Sequence, residues 1–479
     1  MTSTLAFLAR VCIFLVGVEA VSVPSTAPSS AASVDSALLS ISLEFFTFPA
    51  YAQLASTTNC LAQLTTLRGT SPAVRIGGTT QDRATYDSSL STAVNYTVAS
   101  STDAPTSLTF GPSFFTLAAA LKGPVTIGLN RQLDEQGNTQ QAAVKALSSM
   151  SNLYAIELGN EPEFYASGSP IIPSSGWNPT TDGASQKAWQ TALAPSVGNI
   201  FQAAVYLQYP TWSTTNLIPL LGSAITYTKT FSGHSYPQSA CNGASTNLQS
   251  LMSHSGIVSY TKQYNAEAAA GRAQGKTYVL GDTNSATCGG GGISPTFGAA
   301  LWIVDYVLQA ALNGISRLYF HQGTIGNCQY CFWGRYTTAA PFYGAYFVSQ
   351  FLGTDGHTVS MLDDGTGTLA TYAVFSASGA PLRVLVLNSA YFNGTGSRAA
   401  TSVPLSGLPG ADGTRRALRM SALSAAARVD QSGNVTIGGG LTFTGDCVSA
   451  GTQVFESVSV QSGQATVSVL ASEALIVFL

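Results

Sequence analysis

The sequence predicts an α/β protein: a (β/α)8 TIM barrel followed by an all-β sandwich domain. Three observations carry that expectation. Short apolar runs alternate with helix-like stretches as far as about residue 350. The pattern then changes to Gly- and Ser-punctuated runs of Val, Leu and Thr. Acidic residues stand just where two of the earlier runs stop. Strand–helix–strand repetition argues for a parallel sheet, and a barrel closes that sheet and gathers the chemistry at the strand ends.

Taken in order, Ile41–Phe46, Ala73–Ile76, Val125–Leu129, Leu153–Leu158, Tyr278–Leu280 and Leu318–His321 read as buried strands. Each is a near-continuous apolar run, as strands covered on both faces are. Between them, Gln140–Met150, Gln186–Val205, Gln249–Ala273 and Phe297–Asn313 read as helices. The runs Leu369–Phe375, Leu382–Leu387, Thr401–Leu405, Val454–Val460, Ala465–Leu470 and Ala474–Leu479 form the β module, most simply a sandwich. The expected organisation is a barrel over 37–350 and a sandwich over 351–479. Residues 21–36, rich in Pro, Ser and Ala, are a flexible leader or one edge strand.

The first 20 residues read as a secretory signal. Arg10 precedes the apolar run Val11–Val18, and Val18-Glu19-Ala20 offers a small-residue cleavage site. Its removal takes Cys12 and leaves Cys60, Cys241, Cys288, Cys328, Cys331 and Cys447. In a secreted chain that is room for three disulfides, with all 15 pairings open. Cys328-Gln-Tyr-Cys331 lacks the second cluster of a zinc site and reads as disulfide-forming; no metal or cofactor is expected. Sequons at Asn95, Asn393 and Asn434 suit a glycosylated exterior.

Composition narrows the function. Only 20 Lys and Arg and 23 Asp and Glu occur in 479 residues, 9% against roughly 25% in ordinary soluble chains. So little positive charge argues against a nucleic-acid partner and against an anionic lipid surface. No internal apolar run approaches the ~20 residues of a membrane span.

The sharpest signal is Ala155-Ile-Glu-Leu-Gly-Asn-Glu-Pro162, a strand that delivers Glu161 at its C-terminal end with the Asn160 carboxamide beside it. Glycoside hydrolysis needs a second carboxylate. Tyr278-Val-Leu-Gly-Asp-Thr-Asn-Ser285 repeats the arrangement and offers Asp282. The bland reading of each is a loop acid that merely starts a helix.

These segments resemble glycoside hydrolase family 79, the β-glucuronidases and heparanase relatives. Ile41-Ser-Leu-Glu44, Val74-Arg75-Ile-Gly-Gly78 with Gln81-Asp82, Asn130, Gly159–Glu163, His234-Ser-Tyr236-Pro237, Leu280–Ser285 and Phe320–Gly323 with Tyr330 follow the family's strands in order. The resemblance implies a retaining hydrolase with Glu161 as acid/base and Asp282 in the place of the nucleophile, where the family carries Glu. It also implies that Val21–Pro24 joins the C-terminal domain. Withdrawing the carboxylate by one methylene leaves three outcomes open: a compensated retaining enzyme, an inverting or slow hydrolase, or a sugar-binding protein without turnover.

Arg75, in a buried strand, needs a carboxylate partner, either Asp282 or Glu157. Glu44, Asn130, Asn160, Tyr236 and Tyr330 are candidate sugar-binding residues, as is Gly289 in the Gly289–Gly292 loop. Any single tyrosine among them is equally an ordinary core residue. The expected partner is a carbohydrate, a glucuronide or related glycan, met outside the cell.

Overall fold

The computed structural model describes residues 20–479; the expected export signal lies outside it but for Ala20. Eight parallel strands form a closed barrel: β1 Leu39–Glu44, β2 Val74–Gly77, β3 Val125–Leu129, β4 Leu153–Leu158, β5 Phe201–Tyr206, β6 Thr228–Ser235, β7 Thr277–Thr283 and β8 Arg317–Gln322. Closure is made by β8 against β1, from Leu318↔Leu39 to Gln322↔Leu43. The strands are buried almost throughout, with helices such as Gln136–Ser149, Pro179–Val197 and Phe297–Leu312 following them in the chain.

Two stretches differ from the single helices their sequence predicts. Gln186–Val205 is not one helix: the helix stops at Val197, Gly198 has φ of 79°, and β5 begins at Phe201. Phe-Gln-Ala-Ala-Val-Tyr has no alternation and two central alanines among strand-favouring Phe, Val and Tyr, so its pattern does not set it apart from the helix before it. Gln249–Ala273 is likewise broken, into Leu248–Leu251, His254–Thr261, Lys262–Tyr264 and Asn265–Ala273. Ser253 caps the second piece by accepting from Gly256 N.

The C-terminal strands are β9 Thr358–Met361, β10 Leu369–Phe375, β11 Pro381–Asn388, β12 Ala400–Ser406, β13 Gly413–Ser421, β14 Glu456–Val460, β15 Ala465–Leu470 and β16 Glu473–Phe478. The larger sheet runs β9-β10-β11-β16-β13, and Val21–Ser22 pairs with β12 beside β15 in a smaller one. Alternation in β11 serves two cores at once. Leu385 and Leu387 join the cluster shared with the barrel, whereas Val384 and Val386 pack with Val403, Val467 and Val469. The large sheet is therefore covered on both faces, by barrel helices and by the small sheet.

The cysteines pair as Cys60–Cys447, Cys241–Cys288 and Cys328–Cys331. The first ties helix Ala55–Arg68 of the barrel to the β module. The other two close loops above β6, β7 and β8, on the face where strands end.

Candidate active site

A cavity of about 1390 Å³ opens at the C-terminal ends of the barrel strands. Glu44, Asn160, Glu161, Tyr236, Asp282, Gly289, His321 and Tyr330 all line it. All eight barrel strands end within a few residues of that wall, so the sequence-distant candidates are brought together by closure alone.

Asp282 sits near the end of β7 on a bulge. Gly233 pairs with Leu280 and His234 with Asp282, so Gly281 is the extra residue. Such a bulge bends the strand and re-aims the next side chain. Glycine gives room there, because a Cβ on residue 281 would stand 2.3 Å from Ser232 Oγ and displace that hydroxyl. The carboxylate of Asp282 accepts from Tyr236 Oη at 2.5 Å through Oδ1 and from Arg75 Nη1 at 3.2 Å through Oδ2. Burial acts to raise its pKa, but His321, Arg75, His234 and the Tyr236 hydroxyl outweigh that and hold it below the ordinary aspartate value. The group is an anion wherever the protein is folded near neutrality. Tyr236 is pushed well up by burial and by Asp282 and stays a neutral donor.

Arg75 does not choose between its two expected partners. Its Nη2 meets Glu157 Oε1 at 2.5 Å and Asn160 Oδ1 at 2.8 Å, its Nε reaches both Glu157 oxygens at 3.1 Å, and Nη1 holds Asp282. Gln202 Nε2 also donates to Glu157, at 2.6 Å. One buried guanidinium thus fixes the nucleophile candidate and the residue next to Glu161 in a single frame. A donor-only arginine forces the oxygen of Asn160 toward itself and turns the amide nitrogen away.

Glu161 follows β4 on a tight turn with φ of 45°. Its Oε1 lies 2.7 Å from His234 Nδ1, and its side chain keeps 19% exposure, enough to reach a ligand in the cavity. Glu44 is committed more fully: it accepts from Thr80 N at 3.0 Å and Thr80 Oγ1 at 2.5 Å, and faces His321 Nε2 at 3.2 Å. Gly78, with φ of 103°, leaves room for that carboxylate, since a Cβ would approach Glu44 Oε2 to 2.4 Å. His321 lies between two acids, with Asp282 Oδ1 3.5 Å from its Nδ1. Burial pulls its pKa down, but Asp282 and Glu44 raise it further, so the net shift is upward.

Asn130 is the candidate the cavity does not use. Its Nδ2 donates to Ala84 O at 3.0 Å and its Oδ1 accepts from Leu133 N at 3.0 Å, so it braces two loops behind the wall. Asp82 organises the turn after β4: it accepts from Asn160 N at 2.6 Å, Arg131 N at 2.9 Å and Tyr165 Oη at 2.9 Å. His234 and His321 were visible only as histidines near strand ends. Their partners lie on strands far away in sequence.

The C-terminal β domain of glycosyl hydrolase family 79 matches residues 371–476. A β-glucuronidase of Aspergillus niger is 32% identical over 418 residues, covering 79% of this chain and 76% of that one. A Neurospora crassa β-glucuronidase is 30% identical over 442 residues, with the same shares of 79% and 76%. Among solved structures, a 4-O-α-L-rhamnosyl-β-D-glucuronidase from Fusarium oxysporum 12S in complex with Rha-GlcA superposes with a TM-score of 0.92. It is 46% identical, and the match covers 96% of this chain and 99% of that one. With two carboxylates at the ends of β4 and β7 and this breadth of similarity, the chain belongs to glycoside hydrolase family 79.

Proposed function

We propose that the protein is an exported, retaining hydrolase that releases β-linked glucuronate from glycans. Asp282 attacks the anomeric carbon as the glycosidic C–O bond breaks, and Glu161 gives its proton to the leaving oxygen. A water then loses its proton to Glu161 and displaces Asp282, restoring both groups. The observation that carries this reading is the placement of Asp282: on a bulge at the end of β7, at the cavity wall, pinned by Arg75 and Tyr236 and held as an anion. Asn160, Tyr236, Tyr330 and Gly289, all on the cavity wall, supply polar contacts for the sugar.

The size of the cavity supports a substrate larger than a single sugar. It exceeds the about 300–1,000 Å³ of pockets for drug-sized ligands at about 1390 Å³. The Fusarium oxysporum relative acts on 4-O-rhamnosylated glucuronides, and we assign this chain the same substituted class. The test is hydrolysis of an aryl β-D-glucuronide against its 4-O-α-L-rhamnosyl form, with NMR of the first-formed anomer. A β-anomer product, and loss of turnover in Glu161→Gln, are expected. Binding of either sugar with no product would mark a protein that holds glycans without cleaving them, and an α-anomer would mark inversion.

A further inference from the structure

Glu163 lies two residues beyond Glu161, and the mechanism above gives it no task. The turn that carries both is docked on the end of β5. There the backbone leaves the strand conformation: Ala204 and Val205 have φ of 78° and 68°. A β-branched residue in that region is a true outlier, and such strain persists only where the surroundings impose it. The pairing with β6 slips at the same place, between Ala204 and Tyr206.

The kink presents polar groups to the turn. Val205 O accepts the Glu161 N–H at 3.2 Å. The amides of Leu207 and Gln208 both donate to Glu163 Oε1, at 2.5 and 2.9 Å. Trp177 Nε1 donates to Pro162 O at 2.8 Å and closes the other side. Glu163 Oε2 is buried with no hydrogen-bond partner among the described residues. Burial, and then the charge of Glu161, push Glu163 up to about 7. A half-satisfied carboxyl is a poor packing element, yet it is the group that joins the acid/base turn to the distorted strand.

We propose that Glu163 is the positioning residue of the acid/base: through the Leu207 and Gln208 amides it locks the 161–164 turn onto the end of β5 and fixes where Glu161 delivers its proton. This rests on Glu161 being the acid/base. Misplacement of a catalytic group by about 1 Å costs roughly 10²-fold, and the cost falls only on substrates whose leaving group needs the proton.

The experiment compares kcat/KM on a phenyl β-glucuronide, a poor leaving group, with kcat/KM on β-glucuronyl fluoride, which departs without protonation. Glu163→Ala is expected to lose about 10- to 100-fold on the phenyl glycoside and less than threefold on the fluoride. Glu163→Gln retains an acceptor for both amides and should recover most of the loss. Glu163→Asp, one methylene short, should fall between them and serves if the alanine variant does not fold. Equal losses on both substrates, or none, would overturn the proposal. Glu161→Gln is the control: if it shows no leaving-group bias, the acid/base assignment itself fails, whereas bias there but not in Glu163→Ala rejects the role of Glu163 alone.

Discussion

The molecule contains the same motif twice: a buried histidine held between two carboxylates. In the cavity, His321 lies between Glu44 and Asp282 at 3.2 and 3.5 Å. At the seam between barrel and β module, His254 lies between Asp305 and Asp363 at 2.8 and 2.9 Å. The surroundings differ. Asp305 also accepts from Tyr372 Oη, and Asp363 from Gly365 N, Thr371 N and Thr371 Oγ1. Every oxygen at the seam is occupied and the contacts are short, so the charges there join two bodies. In the cavity the histidine's two contacts are longer, and Asp282 and Glu44 form part of a wall open to ligand. A buried charge cluster stabilises when its hydrogen bonds are complete and becomes chemistry when a face is left for substrate.

The largest way to break the comparison is to remove the cavity charge. Asp282→Asn is expected to lower kcat by about 10³-fold or more, while Tm stays within a few degrees, because Arg75 keeps Glu157 and Asn160. A variant that loses folding along with activity would show the cavity cluster to be structural like the seam.

The converse change is at the seam. His254→Ala leaves Asp305 and Asp363 buried against each other without a cation, and removing one partner of a buried pair costs about 3 kcal/mol. The expected outcome is a clear loss of stability in denaturant melts with kcat/KM unchanged within twofold. His321→Ala should do the opposite, lowering kcat/KM by about 10²-fold through a displaced Asp282 with a smaller stability change. If both histidines move stability and rate alike, the distinction between the two clusters is lost.

How far the sequence carried this depends on which interactions are local. Glu161 and Asp282 were legible because a strand, a glycine and an acid occur together in a few residues. The β module was legible through its alternation, seen in the split of Val384 and Val386 from Leu385 and Leu387. The fifth strand was not, because Phe201–Tyr206 has no alternation and its central alanines blur its boundary with the preceding helix. Asp82, His234 and His321 act through partners tens to hundreds of residues away, which no local pattern encodes. Asn130 has the right position at a strand end, but its side chain turns to Ala84 and Leu133. The three short strands at Ala84–Tyr86, Val94–Tyr96 and Leu108–Phe110, whose connecting loop brings Thr102 and Asp103 to the cavity, left no signal long enough to read.

The smallest expected effect is a pH dependence of the seam. Burial pulls the His254 pKa down, but hydrogen bonds to Asp305 and Asp363 outweigh it and push it up to about 10. Unfolded histidine titrates near 6.5 (roughly), so the folded chain holds this proton more tightly. The stabilisation is complete below about pH 6.5, declines as pH rises, and is gone once pH passes the folded value. The Tm difference between wild type and His254→Asn should therefore be widest near pH 6 and narrow steadily toward pH 10. Asp363, held below its ordinary value by the same histidine, works in the opposite direction only in acid, so it leaves this window untouched. A difference that stays constant from pH 6 to pH 10 would mean that His254 is neutral in the seam. The two clusters would then differ in charge as well as in access.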